Sequence, residues 1–453
     1  MIHSTYSKAV KVCLPLLWGG LLGAAFAQPD SLRMAEFKPT LMTDFGHIVK
    51  GEYSSEITAY PLNRNTVILE QSATYNSWEF VAGFKGILWF PFTPGGTEPH
   101  LRTMRVDPRL SRAEAIWNFG DAAPGYIEFG YFPYKYNPDA RNLGEYLYRS
   151  GTYPGIVRST DGFNLMNYAQ YDALGVHVHL SQANGLITHN VNIFSEPNIA
   201  RTGDLTPGYE LAVNLPLVQL GMGAAYNRLI SYAPSRRQPK RFENGYYRID
   251  SAGVSVYEGP YLTAISSRQT KIANGGDSIH ALHYYKQQGV KLMARAAVDL
   301  GFLLPEEHRN SADFRIFAEA ALLGLEDQPF YYDDKAKRLP IMVGINVPTF
   351  KALNVLSLQA EYYGSRFANS KAFNETGLPV WSANSTYKPS DYTQDDWKWS
   401  VYAQRSLTRL LRLHVQVAND HLRLPIFDYN ISESSLMRNR SDWYYLVRIE
   451  CGL

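Results

Sequence analysis

The chain of 453 residues sets 44 Lys and Arg against 42 Asp and Glu, and 13% of it is aromatic, with 32 tyrosines. A charge this close to neutral argues against a nucleic-acid partner. No stretch beyond Ala27 holds the roughly eighteen consecutive apolar residues of a membrane-spanning helix.

In chain order, the first element is a leader. Lys8 and Lys11 precede "VCLPLLWGGLLGAAF", and Ala25-Phe26-Ala27 ends it in an A-x-A pattern, so residues 1–27 read as a cleaved secretory signal peptide. Its removal takes away two lysines, leaving 42 basic and 42 acidic residues in 28–453, and leaves Cys451 as the one cysteine. An exported chain of this size with no intramolecular disulfide fits a bacterial envelope.

Downstream the apolar pattern has period two. "WEFVAGFKGILWF" (78–90) places Trp78, Phe80, Ala82, Phe84, Leu88 and Phe90 on one face. "YIEFGYF" is a plausible strand, and "LGVHVHLS" (174–181) and "LITHNVNIF" (186–194) flank Asn184-Gly185, a hairpin signal. "GVKLMARAAVDLG" (289–301) and "FRIFAEAAL" (314–322) carry charges four apart, a spacing that suits one helix stripe or one strand face. "NVLSLQAEYY" (354–363), "WKWSVYAQ" (397–404), "LRLHVQVAN" (411–419) and "WYYLVRIECGL" (443–453) alternate plainly, and "IMVGINV" (341–347) alternates more weakly. Among these clear strands, 289–301 and 314–322 read as strands too.

The links alternate as well: 348–352 and 407–410 are short, whereas 364–396 and 420–442 are long and polar. That asymmetry, the aromatic content and the absence of a 20–50-residue repeat favour one domain, 28–453, over a soluble sandwich or propeller. The expected fold is all-β: a transmembrane antiparallel β-barrel of about 16 strands (range 14–18), with short periplasmic turns and long external loops. Alternation puts Lys291, Arg295, Asp299, Arg315, Glu319, Gln359, Glu361, Lys398, Arg412 and Arg448 on the water-filled side as pore-lining residues.

With the leader, these strands and a final strand running to Leu453, the chain resembles a Gram-negative outer-membrane β-barrel protein of the porin type over nearly all of 28–453. Proteins of that type usually end on an aromatic residue read by the assembly machinery; here the last residue is Leu453. The resemblance implies passive diffusion of small polar solutes. Expected partners are outer-membrane lipid, lipopolysaccharide and the barrel-assembly machinery, with a homotrimer as one open assembly. It also implies that an insert at 133–160, with a helix from Asp139 through Arg149, folds into the lumen and constricts it through Lys135, Arg141, Glu145 and Arg149.

Other constellations carry competing chemistry. His177 and His179 share a strand face and could ligate a metal, but no third ligand is evident, and neither metal nor cofactor is expected. His179-x-Ser181 faintly resembles the His-x-Ser of outer-membrane lipid hydrolases, the third-ranked function, although a base-activated serine also needs a group orienting the base. Arg102, Arg105, Arg109 and Arg112 could bind phosphate or a sugar acid, and read first as a solvated loop. "DYTQDD" (391–396) lacks calcium-loop spacing. The main alternative function is adhesion through loops 364–396 and 420–442, with Trp381, Tyr387, Tyr392 and Tyr429 as carbohydrate platforms.

Overall fold

The computed structural model describes residues 32–35, 37, 39–51, 60–61, 63–89, 105–120, 124–141, 143–149, 171–195, 204–230, 240–242, 246–249, 255–258, 263–264, 272–274, 278–280, 283–285, 289–325, 335–362, 397–420, 437 and 439–452. Sixteen strands form the staves of one ring: β1 (Thr40–Lys50), β2 (Arg64–Tyr75), β3 (Trp78–Trp89), β4 (Arg105–Phe119), β5 (Gly125–Tyr134), β6 (Tyr171–Gln182), β7 (Ile187–Ser195) and β8 (Leu205–Asn214). The second half comprises β9 (Val218–Asn227), β10 (Gly289–Asp299), β11 (Arg315–Leu323), β12 (Ile341–Asn346), β13 (Val355–Tyr362), β14 (Trp397–Ser406), β15 (Leu411–Asn419) and β16 (Trp443–Gly452). Each pairs antiparallel with the next, and β16 returns to β1 from Thr40↔Gly452 to Lys50↔Trp443, closing the barrel. No described helix is long and apolar enough to cross a membrane.

Links at one end are short: 76–77, 120–124, 183–186, 215–217, 347–354 and 407–410, with 300–314 the longest of that set. At the other end the links run from 196–204 up to 228–288, each longer than every short link except 300–314. Asn184-Gly185 lies in the left-handed region, φ 57° and 87°, as a tight hairpin turn requires.

Period two turns the usual polarity of a folded protein inside out. Asp44, Arg64, Glu210, Lys291, Glu319, Gln359, Glu361 and Arg448 are buried on the inner face. On the outer face Phe45, Val67, Phe84, Met222, Val343 and Ile449 are exposed, Met222 by 60%. So much exposed apolar surface on a closed sheet is foreign to a water-soluble monomer. Outward aromatics gather near both ends: Trp78 lies 6.1 Å from Trp117 and 6.0 Å from Phe129 at the short-turn end, and Tyr362 lies 5.1 Å from Trp397 at the loop end.

The ambiguous stretch 289–301 is the strand β10. Lys291, Met293, Arg295, Ala297 and Asp299 point inward, while Leu292, Ala294 and Ala296 are exposed outside. Pairing with β11 sets Arg295 opposite Glu319 and Asp299 opposite Arg315, so the four-residue spacing becomes a cross-strand charge match. The arginine cluster differs from its reading as a loop: Arg105, Arg109 and Arg112 lie on β4, and Arg102 is outside the described residues. A bulge at Ser111, where Gly83 faces Arg112 but Phe84 faces Leu110, breaks the alternation that would have revealed this strand.

At the closing seam Asp44 stands directly opposite Arg64 on β2 and Arg448 on β16. Its carboxylate accepts from Arg64 Nε at 2.5 Å and from Arg448 Nε and Nη2 at 2.6 and 2.9 Å, with all three residues buried. Asp44→Ala leaves two guanidiniums facing each other without their shared acceptor and is expected to destabilise the barrel by about 3–5 kcal/mol. Replacing the trio together by Met and Leu is expected to cost less. Denaturant titrations followed by tryptophan fluorescence compare the two, and an unshifted midpoint for Asp44→Ala refutes the role of the seam.

Candidate functional site

After β5 the chain turns into the barrel. Tyr136, Ala140, Leu143, Tyr146, Leu147 and Tyr148 are buried against Phe194, Ala225, Met293, Ala297, Phe317, Ala321 and Met342 of the inner wall. The wall therefore carries an apolar patch among its inward charges, and the insert covers it; each buried large side chain contributes roughly 1.5–3 kcal/mol. Small wall residues make room. A Cβ on Gly208 would meet the Tyr148 hydroxyl at 1.9 Å, and one on Gly223 would meet Leu147 at 2.9 Å.

The expected helix from Asp139 through Arg149 is absent. The described residues form turns, with one helical-type bond from Arg149 N–H to Glu145 C=O, 3.0 Å. Gly144 and Glu145 take positive φ, 82° and 60°, reversing the chain. Such a bend prevents a continuous helix and lets Glu145 accept from the Asn137 amide at 2.5 Å.

Three carboxylates anchor the insert. Glu361 on β13 accepts from Arg149 Nη1 and Nη2 at 2.7 and 3.1 Å, from the Tyr146 hydroxyl at 2.9 Å and from the Gly144 amide at 3.2 Å. Glu319 on β11 accepts from the Tyr136 hydroxyl, Asn137 Nδ2 and the Tyr146 amide at 2.7, 2.6 and 3.0 Å. Glu210 on β8 accepts from the Tyr134 hydroxyl and from Asn192 Nδ2, which also reaches Tyr148. Gln359 takes the Arg141 amide and donates to Asp139 C=O, and Arg315 pairs with Asp139 at 2.8 Å. Burial first, then the carboxylates of Glu319 and Glu361, hold the Tyr136 and Tyr146 phenols well above their ordinary range.

Of the ten residues expected to line a pore, Lys291, Arg315, Glu319, Gln359 and Glu361 therefore bind the insert, Lys291 through Tyr146 C=O at 3.4 Å. Arg295 lies over Gly221, and Asp299 accepts from the Gly301 amide at 2.8 Å. Lys398 donates to Met437 C=O, Arg412 pairs with Glu450 at 3.2 Å, and Arg448 belongs to the seam. Of the four insert residues expected at a constriction, Glu145 and Arg149 are fully buried in the docking interface. Lys135 and Arg141 keep partial exposure: Lys135 donates to Ala140 C=O at 2.6 Å, and Arg141 reaches over the Tyr402 ring, 5.1 Å to its centroid. Burial first, then the Arg141 charge, push the Lys135 ammonium down to about 8.

The docked wall runs from β6 to β14. Beyond it, inward polar groups include the Asp44 trio, Lys85, the Arg112–Glu114 pair at 2.6 Å, and His414 with Glu450 at 3.2 Å. Sequence reasoning missed Asp44, Arg64, Glu114 and Glu210, whose strands β1, β2, β4 and β8 were not read, and Asn192, which lies on the recognised strand β7 but was not singled out.

His177 and His179 point into the barrel. Both contact Asn190 Oδ1, at 3.2 and 2.8 Å, and His177 lies 3.3 Å from Glu128. Among the described residues no group of three or more His, Cys, Asp or Glu is placed to hold a metal. His179 thus engages Asn190, whereas the hydrolase reading needs it on Ser181. Residues 364–396, with Trp381, Tyr387 and Tyr392, and Tyr429 lie outside the described residues.

Glu361→Ala removes the acceptor shared by Arg149, Tyr146 and Gly144. Chymotrypsin is expected to cut at Tyr146–Tyr148 at least roughly tenfold faster, because local opening governs cleavage. Unchanged cutting would show that the ion pair does not hold the insert.

No family model matches the chain, and no curated protein matches it. Among solved structures, Salmonella typhi OmpF in complex with daunomycin aligns at a TM-score of 0.46 and 10% identity, covering 94% of this chain and 99% of that one. A mutant of Rh. blastica porin aligns at 0.40 and 7%, covering 93% and 100%. Alignments this loose carry no argument. What stands is the barrel itself: sixteen closed antiparallel staves, a polar interior and a segment folded into it.

Proposed function

We propose that this barrel is a porin-like channel of the outer membrane through which small polar solutes diffuse passively. The carrying observation is the inverted polarity: charged and amide groups inside a closed sheet, apolar groups bounded by aromatic bands outside. Lipid covers the outer band, and water fills what the insert leaves open. The leader at 1–27 fits export, and the short turns then face the periplasm. Lipopolysaccharide at the loop end, the assembly machinery during biogenesis and a homotrimer belong to the same reading.

In this channel Lys135 and Arg141 are the cations among the described insert residues that keep partial exposure to solute, while the docked charges give the insert its position. The mechanism needs no covalent step. Planar-bilayer recording tests it: purified protein gives discrete conductance steps, and their absence, with binding to polysaccharide retained, overturns the proposal in favour of an adhesin.

The same recording has a pH signature. The Lys135 ammonium is charged below about 8 and neutral above it, so one positive charge leaves the constriction as pH rises. Reversal potentials are expected to shift toward cation preference across that window, and the shift is absent in Lys135→Met. An identical shift in both proteins removes Lys135 from the conduction path.

A further inference from the structure

The short-turn end carries a patch that the channel does not use. Turn 347–354 and turn 407–410 lie side by side: the Asn354 amide donates to Gln404 C=O at 2.8 Å, and Arg405 Nη1 donates to Lys351 C=O and to Ala352 C=O, the latter at 2.7 Å. Phe350, Leu407 and Leu410 are exposed by 61, 57 and 58%. Lys351, Arg405 and Arg409 are exposed among them.

Three features point to a ligand. Arg405 shares the outward face of β14 with Trp397, Trp399, Val401 and Ala403, so it emerges where the apolar band meets the turn end. A charge on that face costs most at mid-bilayer and little near the interface, so this edge is where it can sit. Phe350 and Lys351 are successive non-glycine residues at positive φ, 51° and 63°, a strained conformation in a turn where Asn-Gly would be unstrained. The tip also has a firm base: buried Asp313 accepts from the Asn310 amide at 3.0 Å, and Asn310 Nδ2 donates to Thr349 Oγ1 and Leu353 C=O at 3.2 and 2.8 Å.

Four of the acids described at this end are otherwise engaged. Glu450 holds Arg412 and His414, Glu307 lies 3.4 Å from His308, and Asp299 and Asp313 accept from backbone amides of their own turns. Glu306 sits with Glu307 in the 300–314 link.

We propose that Lys351, Arg405 and Arg409, flanked by Phe350, Leu407 and Leu410, form a site for the phosphate headgroup of an anionic phospholipid of the inner leaflet. The cations meet the phosphate diester, and the apolar side chains meet the upper acyl chains. The site rests on the membrane-barrel reading above and adds a specific lipid contact to it.

Native mass spectrometry of the full chain in detergent, titrated with phosphatidylglycerol, phosphatidylcholine or lipopolysaccharide, tests the site. Wild type is expected to retain phosphatidylglycerol in preference to the other two. The pair Lys351→Gln with Arg409→Gln leaves the Arg405 bonds in place and is expected to weaken that retention roughly twenty-five-fold, about fivefold per cation. Lys351→Arg with Arg409→Lys is expected to keep it. Equal retention of phosphatidylglycerol and phosphatidylcholine, preference for lipopolysaccharide, or an unaffected Gln pair overturns the site. Heat-modifiable gel mobility reports the folded barrel separately, so its absence in wild type counts against the barrel reading and not against the site alone.

Discussion

A ring of strands has no edge only if its last strand finds its first in the correct register. The remaining features of this protein depend on that closure. Each stave leaves a row of amide and carbonyl groups to be paired by the next, and only closure satisfies the final two rows. At the seam Asp44 sits between Arg64 and Arg448. A buried ion cluster adds little net stability relative to an apolar substitute, but it is intolerant of misplacement. A slip of one residue would turn Asp44 or Arg448 onto the apolar outer face. The trio thus fixes which side of every strand is wet.

Once the inside is fixed, its charges serve two ends. Glu210, Glu319 and Glu361 are held by hydroxyls, amides and a guanidinium of the insert, and beside them Met293, Phe317 and Met342 are covered by its aromatic side chains. Half of the wall is therefore a docking surface in which polar and apolar contacts reinforce each other. The other half, from β15 through β1 to β4, retains the seam and the mixed charges of β3 and β4. A strand's inward charges cannot all be counted as contacts for a solute, because position around the ring decides which ones the insert has taken.

The strands that alternate most plainly in the sequence include those whose inner residues are polar and large. Gln359 and Glu361, or Lys398 and Gln404, alternate with aliphatic and aromatic neighbours, and parity alone placed them inside. β9 shows why others were hidden. Its inward positions include Gly221, Gly223 and Ala225, kept small because Arg295 and the insert lie against them, so no polar alternation survives. Pro207 and Gly208 obscure β8 similarly, and the bulge at Ser111 shifts the parity of β4 midway. The sequence singles out the stretch after β5 and four of its charged residues, but not the docking contacts they make. Arg149 and Glu361 are 212 positions apart, and nothing local to either announces the pair.

The seam also sets an order of events. Asp44 and Arg448 are separated by 404 positions, so the bond that completes the ring cannot form until almost the whole chain is present. Contacts of such separation are the slowest to be reached. The segment between β5 and β6, by contrast, meets β7 and β8 early along the chain, through Tyr134, Tyr148, Asn192 and Glu210. The partial sheet can therefore receive its insert while still an open trough, with the final strand arriving as the lid on a vessel already filled.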